Sequence, residues 1–211
     1  NTIIQQGKVV GVGMANRQTE VRNVVEMLCS KHQVPFRLLH KATLSADLRD
    51  WIMDTEADAI IVKTFPWKIP AEVLDMPTYG CINFHYAPLP RYRGPNPLFW
   101  MIKDGATEAG VSVHRMTAEF DEGPVLFAST LPIHPGMTFG MLCTQLGFSG
   151  VGLTTQLLEA MQTGTLSDNA QKNEDAAWYK RPKPQDMMVN WSEMDALAIM
   201  RLVDACNPWN K

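Results

Sequence analysis

Hydrophobic and polar positions along the first 85 residues fall into two alternating periods. Short apolar runs at residues 8–14, 34–39, 58–63 and 81–85 read as buried strands. Between them the pattern turns helical. Val21, Val24, Val25 and Leu28 recur at spacings of 3, 4 and 7, which predicts an amphipathic helix over 19–32 with Thr19 as its N-cap. Leu44, Leu48 and Trp51 mark a second helix over 45–54, and Pro70 opens a short third one over 70–74. Residues 1–7 read as the end of a helix stopped by Gly7. Met14, Met27, Trp51 and Met53 read as core filling. Strand and helix in alternation predict an α/β fold: a Rossmann-like, mostly parallel sheet flanked by helices.

After residue 85 the pattern changes. Four prolines, Pro88, Pro90, Pro95 and Pro97, stiffen a loop that leads to a helix over 96–103, with Asn96 as its cap. Strands are expected over 109–116 and 124–133, with the acidic turn Asp121-Glu122-Gly123 between them. Thr138 caps a long helix that Gly164 ends. Residues 166–189 are polar, and a last helix is expected over 192–206, opened by Ser192. The chain thus divides into a domain over 1–165 and a linker with a C-terminal helix over 166–211.

Composition narrows the class. Of 211 residues, 45% are hydrophobic and 19% charged, ordinary for a chain with a real core. The net charge of −3 gives no overall attraction for nucleic acid, although a local basic patch would suffice. No apolar run approaches membrane-spanning length and no leader is evident. Cys29, Cys81, Cys143 and Cys206 form no C-x-x-C pair and read as free buried thiols, so a cytoplasmic setting is expected. His32, His40, His114 and His134 stand in no ligand spacing, so no metal is expected. The G-x-G at Gly11 and Gly13 lacks the third glycine of a dinucleotide fingerprint and reads as a strand end.

The residues that carry chemistry cluster at the end of the fourth strand. Residues two apart on a strand share a face, so Asn83 and His85 point together. An amide can donate to the oxyanion of acyl transfer, and an imidazole can donate to it or move protons. Asp121 is the carboxylate best placed to orient that imidazole, at a turn where Gly123 allows close backbone approach. Cys81 has no paired base and is a poor nucleophile candidate. Phe65, Pro66, Trp67, Lys68 and Ile69 follow the third strand and read as either a packed loop or a wall for a flat heterocycle. Arg91 and Arg93 read as either a solvated pair or an anion contact.

The order N-x-H, L-P-x-Y-R-G-x-x-P, G-V-S-V-H-R-M and F-D-E-G-P-V-L resembles the folate-dependent formyltransferases. The interval 121 − 85 = 36 between His85 and Asp121 fits that family. The resemblance implies that Asn83, His85 and Asp121 are the catalytic triad. It implies N10-formyltetrahydrofolate as co-substrate, bound by Phe65 to Ile69 with Asp121, Glu122 and Gly123. Tyr86, Arg91 and Arg93 are the implied acceptor contacts. The implied reaction is formyl transfer to a primary amine. The weak charge leans toward an amino-sugar nucleotide, with methionyl-tRNA as the alternative acceptor. Water as acceptor, or a non-catalytic folate-binding or interaction module on the same fold, are the further readings. Ala87-Pro88 departs from the family's Ser-Leu at this place. The residues after 166, closing on Asn207-Pro208-Trp209, resemble the tail of the tRNA and amino-sugar enzymes. Relatives begin with one more strand and helix and continue into a β-rich domain, so both are expected to be missing here.

Overall fold

A computed structural model describes residues 9–17 and 20–208. The helix end expected over 1–7, Lys8 and the Thr19 cap lie outside them. The chain forms two compact units, residues 1–83 with 116–118, and residues 84–115 with 119–211.

The first unit alternates strand and helix as the pattern predicts: β1 (Val12–Ala15), α1 (Glu20–Lys31), β2 (Phe36–Leu39), α2 (Leu44–Thr55), β3 (Ile60–Lys63), α3 (Ala71–Leu74) and the start of β4 (Cys81–His85). β1 and β2 pair in parallel, Val12 opposite Phe36 through Ala15 opposite Leu39. A parallel pair needs a crossover, and α1 supplies it. β3 and β4 are neighbours in a separate sheet. The core gathers Leu39, Leu44, Leu48, Ile52, Val62, Ile69, Val73, Leu74 and Cys81.

Two expectations shift here. Val21, Val24, Met27 and Met53 are exposed, so neither methionine fills the core, and α1 turns Cys29 inward instead. Gly11 and Gly13 have a packing reason. A Cβ on Gly11 would stand 2.3 Å from Trp51 Cζ2, and one on Gly13 would stand 2.9 Å from Leu39 Cδ1.

The second unit takes the end of β4, then α4 (Pro97–Lys103), β5 (Glu108–Arg115), β6 (Val125–Pro132), α5 (Phe139–Thr163) and α6 (Ala196–Cys206). Single-turn 3₁₀ helices occur at Asn173–Asp175 and Pro184–Met187. β4, β5 and β6 are neighbours in that order. β5 and β6 are antiparallel, Glu108 opposite Pro132 through Val113 opposite Phe127, with a bulge between Val113 and His114. β5 is buried on both faces from Ala109 to His114, whereas β6 alternates, as an outer strand with one solvated face does.

Caps set the helix ends. The Thr138 hydroxyl accepts from Met141 N, and Gly164 stops α5 in the left-handed region at φ 65°. Asn96 is left-handed at φ 61° and makes no side-chain cap bond. α6 starts later than expected: Asp195, not Ser192, accepts from Ala198 N at 2.7 Å. Ser192 is taken by Asn190, whose Oδ1 accepts from its amide and hydroxyl. α6 packs on α4. No helix among the described residues is long and apolar enough to cross a membrane.

Candidate active site

β4 ends on His85, which is buried (6% exposed). Its Nε2 lies 2.8 Å from the carbonyl oxygen of Tyr92. A carbonyl only accepts, so Nε2 carries the hydrogen and donates. Tyr92 is held left-handed at φ 58°, as Asn96 is further along the loop. The other ring nitrogen, Nδ1, stands 3.6 Å from Asp121 Oδ1. His114 reaches the same oxygen: its Nε2 is 3.5 Å from Asp121 Oδ1, while its Nδ1 donates to the Arg115 carbonyl at 2.8 Å. Asp121 Oδ2 accepts the Gly94 amide at 2.9 Å. One carboxylate therefore lies between two buried imidazoles.

The environment fixes the protonation of this group. Burial pushes His85 below the ordinary histidine range, against the opposing pull of the Asp121 carboxylate and the Tyr92 carbonyl. Burial alone would raise Asp121. The His114 ring beside it, the charge of His85 and the Gly94 amide outweigh it and hold the carboxyl below its usual range.

The turn that presents Asp121 differs from the expectation. The left-handed residue is Asp121 itself, at φ 55°, so the unusual backbone falls on the carboxylate and not on Gly123. Gly123 is buried, and its carbonyl accepts from Gln171 Nε2 at 2.7 Å.

Asn83 is half-buried, two positions before His85 on β4. Arg93 is the clearest departure among the expected site residues. It is 2% exposed, and its Nε and Nη2 donate to Gln171 Oε1 at 3.2 and 2.8 Å. Nη2 also donates to Asn173 Oδ1 at 3.1 Å, and Nη1 lies 3.4 Å from Glu122 Oε1. Most of its donors meet partners inside the chain, so it braces the loop. Glu122 is accordingly a partner of Arg93. Arg91 is exposed. Tyr86 lies beside α5, where a Cβ on Gly150 would meet its hydroxyl at 3.5 Å.

Among the heterocycle-wall candidates, Phe65 and Trp67 are half-buried and meet edge to face, with centroids 5.4 Å apart. Pro66 is half-buried and Lys68 exposed, but Ile69 is a core residue whose side chain is closed to a ligand. The departing Ala87 is fully buried, and the Ser112 hydroxyl ties this loop by accepting from Leu89 N and donating to Ala87 O. Burial pushes the Cys81 thiol up to about 12, which removes it as a nucleophile. The four cysteines are free, but only Cys29 and Cys81 are buried; Cys206 is half-buried and Cys143 exposed. Among the described residues no His, Cys, Asp and Glu cluster is set to hold a metal.

Sequence reasoning missed His114 and Gln171. His114 left one signal, a polar residue inside a strand with apolar neighbours; the β5 bulge is what aims it at Asp121. Gln171, 50 positions beyond Asp121, left none.

The formyl transferase family profile matches residues 2–154. This chain belongs to that family. It is 33% identical over 186 residues to the methionyl-tRNA formyltransferase of Pseudomonas fluorescens, covering 88% of this chain and 58% of that protein. It is 31% identical to the methionyl-tRNA formyltransferase of Geotalea daltonii, covering 88% of this chain and 59% of that protein. The formyl transferase chain thus spans about three-fifths of the length of these relatives. HypX from Aquifex aeolicus, in complex with tetrahydrofolic acid, shares the fold at a TM-score of 0.75 and 20% identity, over 95% of this chain and 35% of that one.

Proposed function

We propose that this formyl transferase chain moves a formyl group from N10-formyltetrahydrofolate to the amino group of methionine carried on tRNA. The observation that carries the chemistry is the half-buried Asp121 carboxylate set against His85, two positions after Asn83 on one strand. The folate assignment rests on the family match and on the HypX complex. The acceptor assignment rests on methionyl-tRNA formyltransferases at 33% and 31% identity. It replaces the lean toward an amino-sugar nucleotide, which came from net charge. Net charge governs long-range attraction, not a local patch. Arg91, Lys172, Lys180, Arg181 and Lys183 are exposed basic side chains of the second unit.

In this reaction the amine nitrogen bonds to the formyl carbon, the bond to the folate nitrogen breaks, and that nitrogen takes the amine's proton. Asn83 donates to the oxygen as it gains charge. With Nε2–H fixed on Tyr92, Nδ1 of His85 takes the proton the attacking amine loses and returns it to the folate nitrogen as that C–N bond breaks. Asp121 stabilises the imidazolium that results, and this charge offsets the oxyanion. Phe65, Pro66, Trp67 and Lys68 suit the folate ring and its polar edge; Ile69 acts behind them. Residues 1–165 form the catalytic domain in this reading, residues 166–211 its tail, and the setting is cytoplasmic.

The test follows tetrahydrofolate release from N10-formyltetrahydrofolate with methionyl-tRNA, with an amino-sugar nucleotide, and with neither. Release that needs methionyl-tRNA and weakens with salt is expected. Release only with the amino sugar would overturn the acceptor, and release without either would make the chain a hydrolase. Folate binding without any release would make it a binding module.

A further inference from the structure

Residues 169–179 run beside two parts of the candidate site at once. Asn169 exchanges backbone hydrogen bonds with Val125 at the start of β6. Arg93 N donates to Ala177 O, and Tyr179 N donates to Arg93 O, both at 2.9 Å. The Tyr92 and Tyr179 rings stack with centroids 4.8 Å apart. Gln171 sits between these two seams. Its Nε2 donates to the carbonyls of Asp121 at 2.8 Å and Gly123 at 2.7 Å. Its Oε1 accepts from Arg93 Nε and Nη2. Both hydrogens and both lone pairs of one amide are used. The orientation is fixed by chemistry, because carbonyls only accept and a guanidinium only donates.

The geometry points to Gln171 as a positioning residue for the reaction: it holds the left-handed turn that places the Asp121 carboxylate between His85 and His114. This rests on the reading of Asp121 as a working carboxylate, and it makes the tail over 169–179 part of the machinery. Gly94 and Gln171 hold Asp121 from opposite ends, one by its side chain and the other by its backbone carbonyl. Releasing the carbonyls at 121 and 123 frees the turn to relax from φ 55°, which moves Oδ1 away from the imidazoles.

The decisive variant is Gln171→Glu. It keeps the acceptor for Arg93 but turns an oxygen toward two carbonyls, so only the Asp121 side is broken. Gln171→Met, of similar reach and without donors, takes over if Gln171→Glu does not fold. Thr163→Ala, at the exposed end of α5 and outside both the tail and the site, is the control. NMR titration of the His85 imidazole reads the geometry without turnover. In the Gln171 variants the His85 curve is expected to move toward that of Asp121→Asn. Turnover is expected to fall roughly 10- to 100-fold, as for a displaced catalytic group, with KM for N10-formyltetrahydrofolate within about threefold. Thr163→Ala is expected to match wild type. If Asp121→Asn is inactive while the Gln171 variants keep wild-type titrations and turnover, the positioning role is overturned. If Asp121→Asn itself turns over normally, it is the reading of Asp121 that fails, and the titrations still report on Gln171.

Discussion

Asp121→Asn separates the charge of the carboxylate from its shape. The amide oxygen can still accept the Gly94 N–H that Oδ2 takes at 2.9 Å. The new NH2 faces His85 Nδ1 and His114 Nε2, which carry lone pairs when the rings are neutral, since their other nitrogens donate to Tyr92 O and Arg115 O. The fold is therefore expected to survive. What is lost is the attraction for an imidazolium on His85. At 3.6 Å, and with an effective dielectric constant of about 20, that attraction is roughly 332/(20 × 3.6), or about 4–5 kcal/mol. Tenfold in rate corresponds to about 1.4 kcal/mol, so the loss corresponds to about three decades. General acid–base partners contribute about 10²–10⁴-fold by a separate line of measurement, and the two scales agree. The assay is tetrahydrofolate release at saturating methionyl-tRNA, beside thermal unfolding of the same sample. Turnover of Asp121→Asn within tenfold of wild type, with an unchanged melting temperature, would refute the reasoning.

Gly94→Ala is expected to destabilise by about 2–4 kcal/mol in urea unfolding, because its φ is 103° and a Cβ there would stand 2.2 Å from Tyr179 O. Gly11→Ala is expected to cost about 1–3 kcal/mol by the same measurement, since its Cβ would strike the Trp51 ring. Stability against pH is expected to fall on the acid side. The folded protein binds a proton at His85 less readily than the unfolded chain does, so this contribution is present above the ordinary histidine pKa of about 6.5 and declines as pH drops below it. The lowered Asp121 carboxyl adds stability above about pH 4 that is lost at lower pH. His85→Gln should flatten the first limb of a melting-temperature titration and shrink the second, because the charge of His85 helps hold the Asp121 carboxyl down.

Hydrophobic period made the first unit legible. β2, α2, β3 and β4 fall where the apolar runs and stripes put them, because burial of one face is a local property of sequence. Where several apolar side chains compete for one face the pattern misleads. α1 offers Val21, Val24 and Met27 as readily as Cys29, and only packing decides that Cys29 goes inside. Helix starts fail for a different reason. Ser192 and Asp195 both fit an N-terminal position, and Asn190 removes the first from contention by hydrogen-bonding it.

The polar geometry of the candidate site was legible in its members and illegible in its wiring. Asn83, His85 and Asp121 stand in motifs whose spacing a reader can use. Arg93 stands in the same motif, and a charged residue among prolines reads naturally as a solvent or anion contact. Its burial depends on Gln171 and Asn173, 78 and 80 positions away, and on Glu122. A buried guanidinium is tolerable only when its donors are met, so the tail must be in place for the loop to close as it does. The same argument runs in reverse for Gln171, whose carbonyl partners lie at the Asp121 turn. An amide with all four bonds made, between a fixed cation and a strained turn, has little freedom to serve any other end. The order of dependence is then tail, turn, carboxylate, imidazole, and a substitution anywhere along it should be felt at His85.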